Sequence, residues 1–281
     1  MAKKVFIAPG HGGGDPGAVA NGLKEKDLNL TISLACRDEL ERHGVLVKMS
    51  RETDVVETLS DQTSESNAFA PDLSVNIHNN AGGGDGAEVF YSIKSINGGT
   101  DKTLALNILD ELKKIGQNSR GAKTRKNDKG TDWYGFIRDT KAPAVIVECA
   151  FLDHKTDVQI VDTVAEQKAM GVAIAKGCLK TLGIAYKEPG TVDPEQPKEE
   201  AATGTESPAH YDTAKAGTYK VTPAEGLYFR TGPDTKYASL ALLAPGTIVK
   251  CLGHYTGVWL RVETVDNLVG FCHGDFLEKV E

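Results

Sequence analysis

Residues 143–152 read PAVIVECAFL. The run is apolar almost throughout, rich in β-branched residues and shorter than an ordinary helix. That is the pattern of a strand covered on both faces. One carboxylate, Glu148, interrupts it. Burying an ionised carboxylate without a partner is costly, so Glu148 calls for a cation nearby. A metal ion would serve, and so would a salt bridge, for which Arg138 is the candidate.

Similar runs recur upstream: KVFIAP (4–9), VLVKMS (45–50), DLSVNIHNN (72–80), GAEVFYSI (86–93) and YGFIRD (134–139). Helical patterns lie between them. In EKDLNLTISLACRDELERHG (25–44), Leu28, Ile32, Ala35 and Leu40 approximate one face and Gly44 is a natural C′ residue. Further helical stretches fall near 57–70, 103–115 and 165–182. Strands alternating with helices predict an α/β fold, a twisted, mostly parallel sheet flanked by helices. Ligands of such sheets sit at the carboxyl ends of the strands.

Past residue 186 the pattern changes twice. Residues 187–216 are rich in Pro, Glu, Thr and Ala and show no apolar periodicity, which predicts a semi-stiff acidic linker. Residues 217–281 carry short strand-like runs punctuated by Gly, Pro, Asp and Asn, as in a small all-β barrel. The expected boundaries are therefore 1–186, 187–216 and 217–281. The formal net charge is −7, and the linker alone holds −4 of it. An acidic chain is a poor partner for nucleic acid. No apolar run is long enough to enter and cross a membrane. The first residues, MAKKVFIAPGHGG, break at Pro9–Gly10 and are too short for a secretory core. A chain made in the cytoplasm and kept there until released is expected. Five scattered cysteines without a C-x-x-C pair suit reduced, buried thiols. No oligomeric state is legible in the pattern.

The chemistry gathers at strand ends. His11 follows the first strand in APGHGGGDPG, His78 ends another in VNIHNNAGG, Glu25 opens a helix and Glu148 lies in the run quoted first. Two histidines and a carboxylate suit a catalytic zinc site with an open fourth position. A second carboxylate near the water could act as base. Each residue also has a plainer reading. His11 could sit in a simple turn, and GHGGG lacks the spacing of a phosphate loop. Glu25 could be a solvated charge favoured by the helix dipole. Cys149 and His154 raise a Cys–His alternative, but neighbours on a strand face opposite ways, so Cys149 should point away from Glu148.

The ordered set IAPGHGG–DPGA, G–KEKDLNL, SR–TD, SVNIHNNA, GAEVFY, SRGAK and YGFIRDTKAPAVIVECAFLDHKTD resembles the Amidase_3 family of N-acetylmuramoyl-L-alanine amidases over roughly residues 3–184. The resemblance implies one zinc ion on His11, Glu25 and His78, with Glu148 as catalytic acid/base. The match E-K-D-L-N-L favours Glu25 over Asp27. It also implies a peptidoglycan substrate, cut between the lactyl group of N-acetylmuramic acid and L-alanine. Asn79, Asn80 and Arg138 are candidate substrate contacts. The basic stretch KKIGQNSRGAKTRKNDKG (113–130) could meet anionic wall polymer or peptide carboxylates, or be a solvated loop. Some members carry an inserted helix that blocks the site, and the short interval between GAEVFY and SRGAK implies an unblocked enzyme.

The carboxyl-terminal stretch, with L-x-x-R-x-G-P, L-x-x-G-T-x-V and W-x-x-V, resembles a bacterial SH3-like domain and implies wall binding. Tyr228, Tyr255 and Trp259 could form its aromatic surface, or part of the barrel core. An amidase joined to such a module resembles a phage or prophage endolysin that reaches the wall through a holin pore. A bacterial autolysin of mother-cell lysis and an inactive wall-binding protein are the alternatives.

Overall fold

The structure is a computed structural model that describes residues 2–188, 210–235, 237, 239–265 and 268–280. Two compact units divide the chain. One comprises Lys3–Leu40 and Val47–Tyr186, the other Lys187–Glu281 together with Met1–Ala2 and Glu41–Leu46. Most of the expected linker, 187–216, lies outside the described residues.

The first unit runs β1 (Lys4–Pro9), β2 (Val19–Ala20), β3 (Leu23–Lys24), α1 (Glu25–Arg42), β4 (Leu46–Met49), α2 (Leu59–Phe69), β5 (Leu73–Asn80), β6 (Ala87–Tyr91), α3 (Thr100–Lys114), β7 (Ser119–Lys123), α4 (Gly135–Asp139), β8 (Ala144–Phe151) and α5 (Val164–Leu182). Six strands form one sheet in the order β4-β1-β5-β8-β6-β7. The pairs β1/β5, β5/β8 and β6/β7 are parallel, and β6/β8 is antiparallel. The α/β expectation therefore holds, with one reversal in the sheet.

The central strands are buried because their side chains are apolar on both faces. Val5, Phe6, Ile7, Val75, Ile77, Val145 and Val147 are fully buried. α5 packs closely on α1 and α3 through two small residues. A Cβ at Gly171 would lie 2.3 Å from the Ile32 carbonyl oxygen, and one at Gly177 would lie 2.7 Å from the Ile108 Cα. The first turn of α5 is held by a capping box in which Thr163 and Glu166 bond each other's backbone N–H groups.

Two stretches depart from the sequence reading. YGFIRD is not a strand, because Gly135–Asp139 form the short helix α4, which buries Phe136 and Ile137. Two adjacent apolar residues suit either element, and packing decides between them. SRGAK, by contrast, is a strand, β7, which extends the sheet beyond β6. The interval between β6 and β7 contains one 3₁₀ turn and α3.

From His210 onward, the described residues of the second unit are all-β apart from 3₁₀ turns. Its strands are β9 (His210–Tyr211), β10 (Gly217–Val221), β11 (Leu227–Arg230), β12 (Ser239–Leu243), β13 (Ile248–Thr256), β14 (Trp259–Thr264), β15 (Val269–His273) and β16 (Leu277–Lys279). They run in the order β12-β11-β15-β14-β13-β10-β16, with β9 on β13. Its core contains Val221, Phe229, Val249, Cys251, Val262 and Cys272. The described residues include no helix long and apolar enough to cross a membrane.

Candidate functional site

His11, Glu25 and His78 come together from three places in the chain: the loop after β1, the first turn of α1 and the end of β5. Each can offer one ligand atom, and the three atoms lie within 4.8 Å of one another. Glu25 stands between the two rings. His11 Nε2 is 3.2 Å from Oε2, and His78 Nδ1 is 2.9 Å from Oε1. Glu25 is 4% exposed, so the solvated-charge reading does not hold.

Local backbone explains how the groups approach. His11 adopts φ 60°, a left-handed conformation unusual for a residue with a Cβ and held here by its surroundings. A Cβ at Gly10 would lie 2.2 Å from the His78 ring. At Gly17, whose φ is 63°, a Cβ would lie 2.5 Å from Glu25 Oε2 and 2.7 Å from the His11 ring. These two glycines clear the space that the donor atoms enclose. Arg51, 3% exposed, donates to the carbonyls of Pro9, Gly10 and Lys26 and so holds the loop to α1.

Further polar groups orient the three donors. His11 Nδ1 meets Asp15 Oδ2 at 2.8 Å, leaving Nε2 facing the cluster. His78 Nε2 meets Asn76 Oδ1 at 3.1 Å, leaving Nδ1 facing it. Asn29 Nδ2 donates to Glu25 Oε1 at 3.2 Å and to the Gly10 carbonyl. Partners of this kind set the ring orientation of metal-ligating histidines. The sequence reading missed Asp15, Asn29, Asn76 and Arg51. Spacing held a signal for three of them: Asp15 and Asn29 lie four residues after the group they orient, and Asn76 lies two before His78 on its strand.

The electrostatics fit a cation. Hydrogen bonding to Glu25 lifts His11 to a pKa of about 9 against the opposing effect of burial, with Asp15 adding to the rise. Burial pushes Glu25 upward, but its bonds from His11 and His78 outweigh that and hold it below the usual carboxylate range. A metal ion in the cluster would take the place of the histidine proton. Two imidazoles and one carboxylate, with small residues around them, fit a zinc ion and an open position.

Glu148 pairs in register with His78 across β5 and β8. Burial raises its pKa to about 7. His78 and His11 oppose that rise, while Glu25 and Glu88 add to it. No described side chain donates a hydrogen bond to it. The Arg138 salt bridge is not formed: Arg138 Nε and Nη2 each lie 3.0 Å from the Asp139 carboxylate. Arg138 also lines a pocket of about 420 Å³ with Asn127, Asp128, Lys129 and Thr131. Asn79 is 2% exposed and donates to Asn29 Oδ1, while its backbone N–H donates to Glu25. Asn80 is half-buried and reaches Glu88 Oε1 at 3.3 Å. Cys149 is fully buried and its thiol is pushed up by burial, which leaves no place for a Cys–His reaction. All five cysteines are free.

A second grouping, Asp85, His154 and Asp157, lies in the loops after β5 and β8. Asp157 Oδ2 accepts from the backbone N–H groups of Gly86 and Phe151, tying those loops together. In the second unit Tyr228 is 49% exposed, with the Arg230 guanidinium 5.0 Å from its ring. Trp259 is half-buried and meets His273 edge-on at 5.1 Å. Tyr255 packs against the barrel core.

Comparison with known proteins gives the family. Residues 5–180 match the model of the Amidase_3 family, N-acetylmuramoyl-L-alanine amidase, and residues 225–278 match a bacterial SH3 domain. The chain is 36% identical to the N-acetylmuramoyl-L-alanine amidase CwlM of Bacillus licheniformis over 66% of its own length and 73% of that protein. It is 34% identical to an endolysin of Bacillus phage SPP1 over 70% and 73%. Among solved structures, Cwp6 from Clostridium difficile superposes with a TM-score of 0.64 and 41% identity, covering 65% of this chain and 30% of Cwp6.

Proposed function

The chain belongs to the Amidase_3 family of N-acetylmuramoyl-L-alanine amidases, and we propose that His11, Glu25 and His78 hold one zinc ion for the hydrolysis of peptidoglycan. The supporting observation is the convergence of those three donors within 4.8 Å, with His78 in register with the half-buried Glu148. When bound, zinc supplies Lewis acidity, which makes water more acidic and polarises the carbonyl of the bond to be cut.

The protein's own groups do the rest. Glu148 takes the proton of the attacking water and delivers it to the alanine nitrogen as the carbon–nitrogen bond breaks. Without the metal, burial lifts this carboxyl to a pKa of about 7, and a bound cation would draw it back towards the ionised form that accepts the proton. Asp15 and Asn76 keep the two imidazoles in the ligating tautomer. Asn79, being buried, acts on Glu25 and Asn29 rather than on substrate.

The carboxyl-terminal SH3 domain is the wall-binding module, with Tyr228 and Trp259 on its contact surface. Joining it to the enzyme makes the second encounter with the wall intramolecular. The biological role proposed is lysis of a bacterial host by a phage, with the protein made in the cytoplasm and released through a holin pore. The likeness to the phage SPP1 endolysin supports it. The comparable likeness to CwlM supports the second reading, a bacterial autolysin.

The test is digestion of purified peptidoglycan followed by end-group analysis. A new free L-alanine amine is expected. New reducing sugar ends without that amine would overturn the amidase reading, and activity surviving complete removal of metal would overturn the zinc assignment.

A further inference from the structure

Beyond the metal cluster, one row of residues crosses the sheet. His78 of β5 pairs with Glu148 of β8, Glu148 with Glu88 of β6, and Glu88 with Gly121 of β7. Cross-strand partners face the same side of a sheet, so the row carries the surface on which Glu148 works out towards β7.

Glu88 is 6% exposed and receives two cations on one oxygen. Oε2 accepts from Arg120 Nε at 2.8 Å and from Lys123 Nζ. Burial pushes Glu88 upward, but Lys123 and Arg120 outweigh it and hold the carboxyl ionised, below its usual range. A break in register between Ala87 and Glu88 skips residue 120, since Ala87 pairs with Ser119 and Glu88 with Gly121. Irregularities of this kind re-aim side chains, here letting Arg120 reach the same carboxylate as Lys123.

Glu88 does not use up the hydrogen-bonding capacity of the two cations. The side chains of Arg120 and Lys123 are 37% and 35% exposed. Arg120 bonds Glu88 through Nε, and neither Nη donates to any described residue. Its guanidinium lies 5.0 Å from the Phe151 ring, which restrains the plane of the fork. Asp85 also lies within electrostatic range of Arg120, so an anionic ligand here has to be held by directed hydrogen bonds rather than by net charge. A planar guanidinium with free N–H groups matches a carboxylate.

β7 lies two strands from β8, and at about 4.8 Å per strand that sets the backbone of Arg120 and Lys123 about 10 Å from that of Glu148, a gap narrowed by their long side chains, which reach Glu88 on the strand between. An extended peptide covers that distance in two to three residues at ~3.3–3.6 Å each. We propose that Arg120 and Lys123, held by Glu88, form a specificity subsite for a carboxylate of the stem peptide, on the residue that follows the alanine released by the reaction. The inference rests on the amidase reading above and deepens it. The enzyme would then favour stems with that carboxyl free over stems in which it is amidated.

The experiment uses two synthetic disaccharide-peptides that differ only in a free or an amidated carboxyl group on the second residue. kcat/KM is measured on each for the full chain, Arg120→Gln, Arg120→Lys and Lys123→Met. The ratio of the two values does not depend on how much of a variant is folded. The expected wild-type ratio is about tenfold or more in favour of the free acid. Arg120→Gln should bring it near one by raising KM on the acid alone. Arg120→Lys should retain part of the preference, and Lys123→Met should lower it. A wild-type ratio of one, or an equal loss on both substrates in Arg120→Gln, would overturn the subsite. Cleavage of neither peptide by the wild type, with no alanine amine released from whole walls, would overturn the amidase reading and the subsite with it.

Discussion

Glu25 Oε1 and His78 Nδ1 lie 2.9 Å apart although 53 residues separate them in the chain. The first turn of α1 and the end of β5 meet there, and His11 closes on the other carboxylate oxygen at 3.2 Å. The cluster is a product of the topology: β1 and β5 are parallel neighbours, so their carboxyl ends open on the same edge of the sheet.

Removing the metal should abolish hydrolysis. Dialysis against a chelator is expected to reduce peptidoglycan cleavage to background, and zinc should restore it at one ion per chain. Metal content and amine release measured on the same samples check both statements. His78→Ala should lose the metal even in added zinc, because the remaining donors no longer close the site.

Glu148→Gln should keep the metal and lose the reaction. A positioned general base contributes about 10²–10⁴-fold, so kcat should fall by that factor. Metal stoichiometry should stay at one, and the melting temperature should not fall, since the change removes a half-buried charge that receives no hydrogen bond.

Gly10→Ala should distort the site without replacing a donor residue. The added Cβ would stand 2.2 Å from the His78 ring, so the ring must move. Loss of ring orientation is expected to weaken metal affinity by about 10–100-fold. Competition titration with a chromophoric chelator gives the number, and circular dichroism shows whether the fold is intact.

Glu88 should contribute to the acid limb of stability. Its folded pKa is lowered by Lys123 and Arg120 despite burial. That stabilisation is present above the unfolded carboxylate pKa and is lost as pH falls through the lower, folded value. Glu88→Gln should therefore flatten the pH dependence of the urea midpoint on the acid side. An unchanged slope would mean that the two cations do not stabilise the ionised form.

Tyr228→Ala should weaken wall binding with little effect on folding. The side chain is 49% exposed, so stability should change by less than about 1 kcal/mol. Co-sedimentation of the full chain with purified walls should show a smaller bound fraction, while hydrolysis of a small soluble substrate should be unchanged.

Much of this was legible in the chain. Continuous apolar runs such as PAVIVECAFL have few ways to be buried, and a parallel sheet with helices is the common one. Glycine-rich turns at strand ends pointed to His11 and His78. Short elements were harder. YGFIRD has apolar residues that suit a strand or a turn of helix, and packing made it a helix. SRGAK is polar enough to read as loop, and it becomes a strand because β6 offers it a free edge.

The amino-acid sequence by itself determined the α/β class and the change to an all-β unit, through local periodicity. It raised His11, Glu25, His78 and Glu148 as candidates by their place at strand and helix ends, and the family resemblance gave them their expected roles. Only the tertiary structure decided which partners those groups meet. Arg138 turned to Asp139 instead of Glu148, Asn79 was buried against Asn29, and Arg120 and Lys123 converged on Glu88. The physical reason is that a charge is satisfied by what lies within about 3 Å of it, and strand register sets that distance across tens of residues that local pattern does not relate.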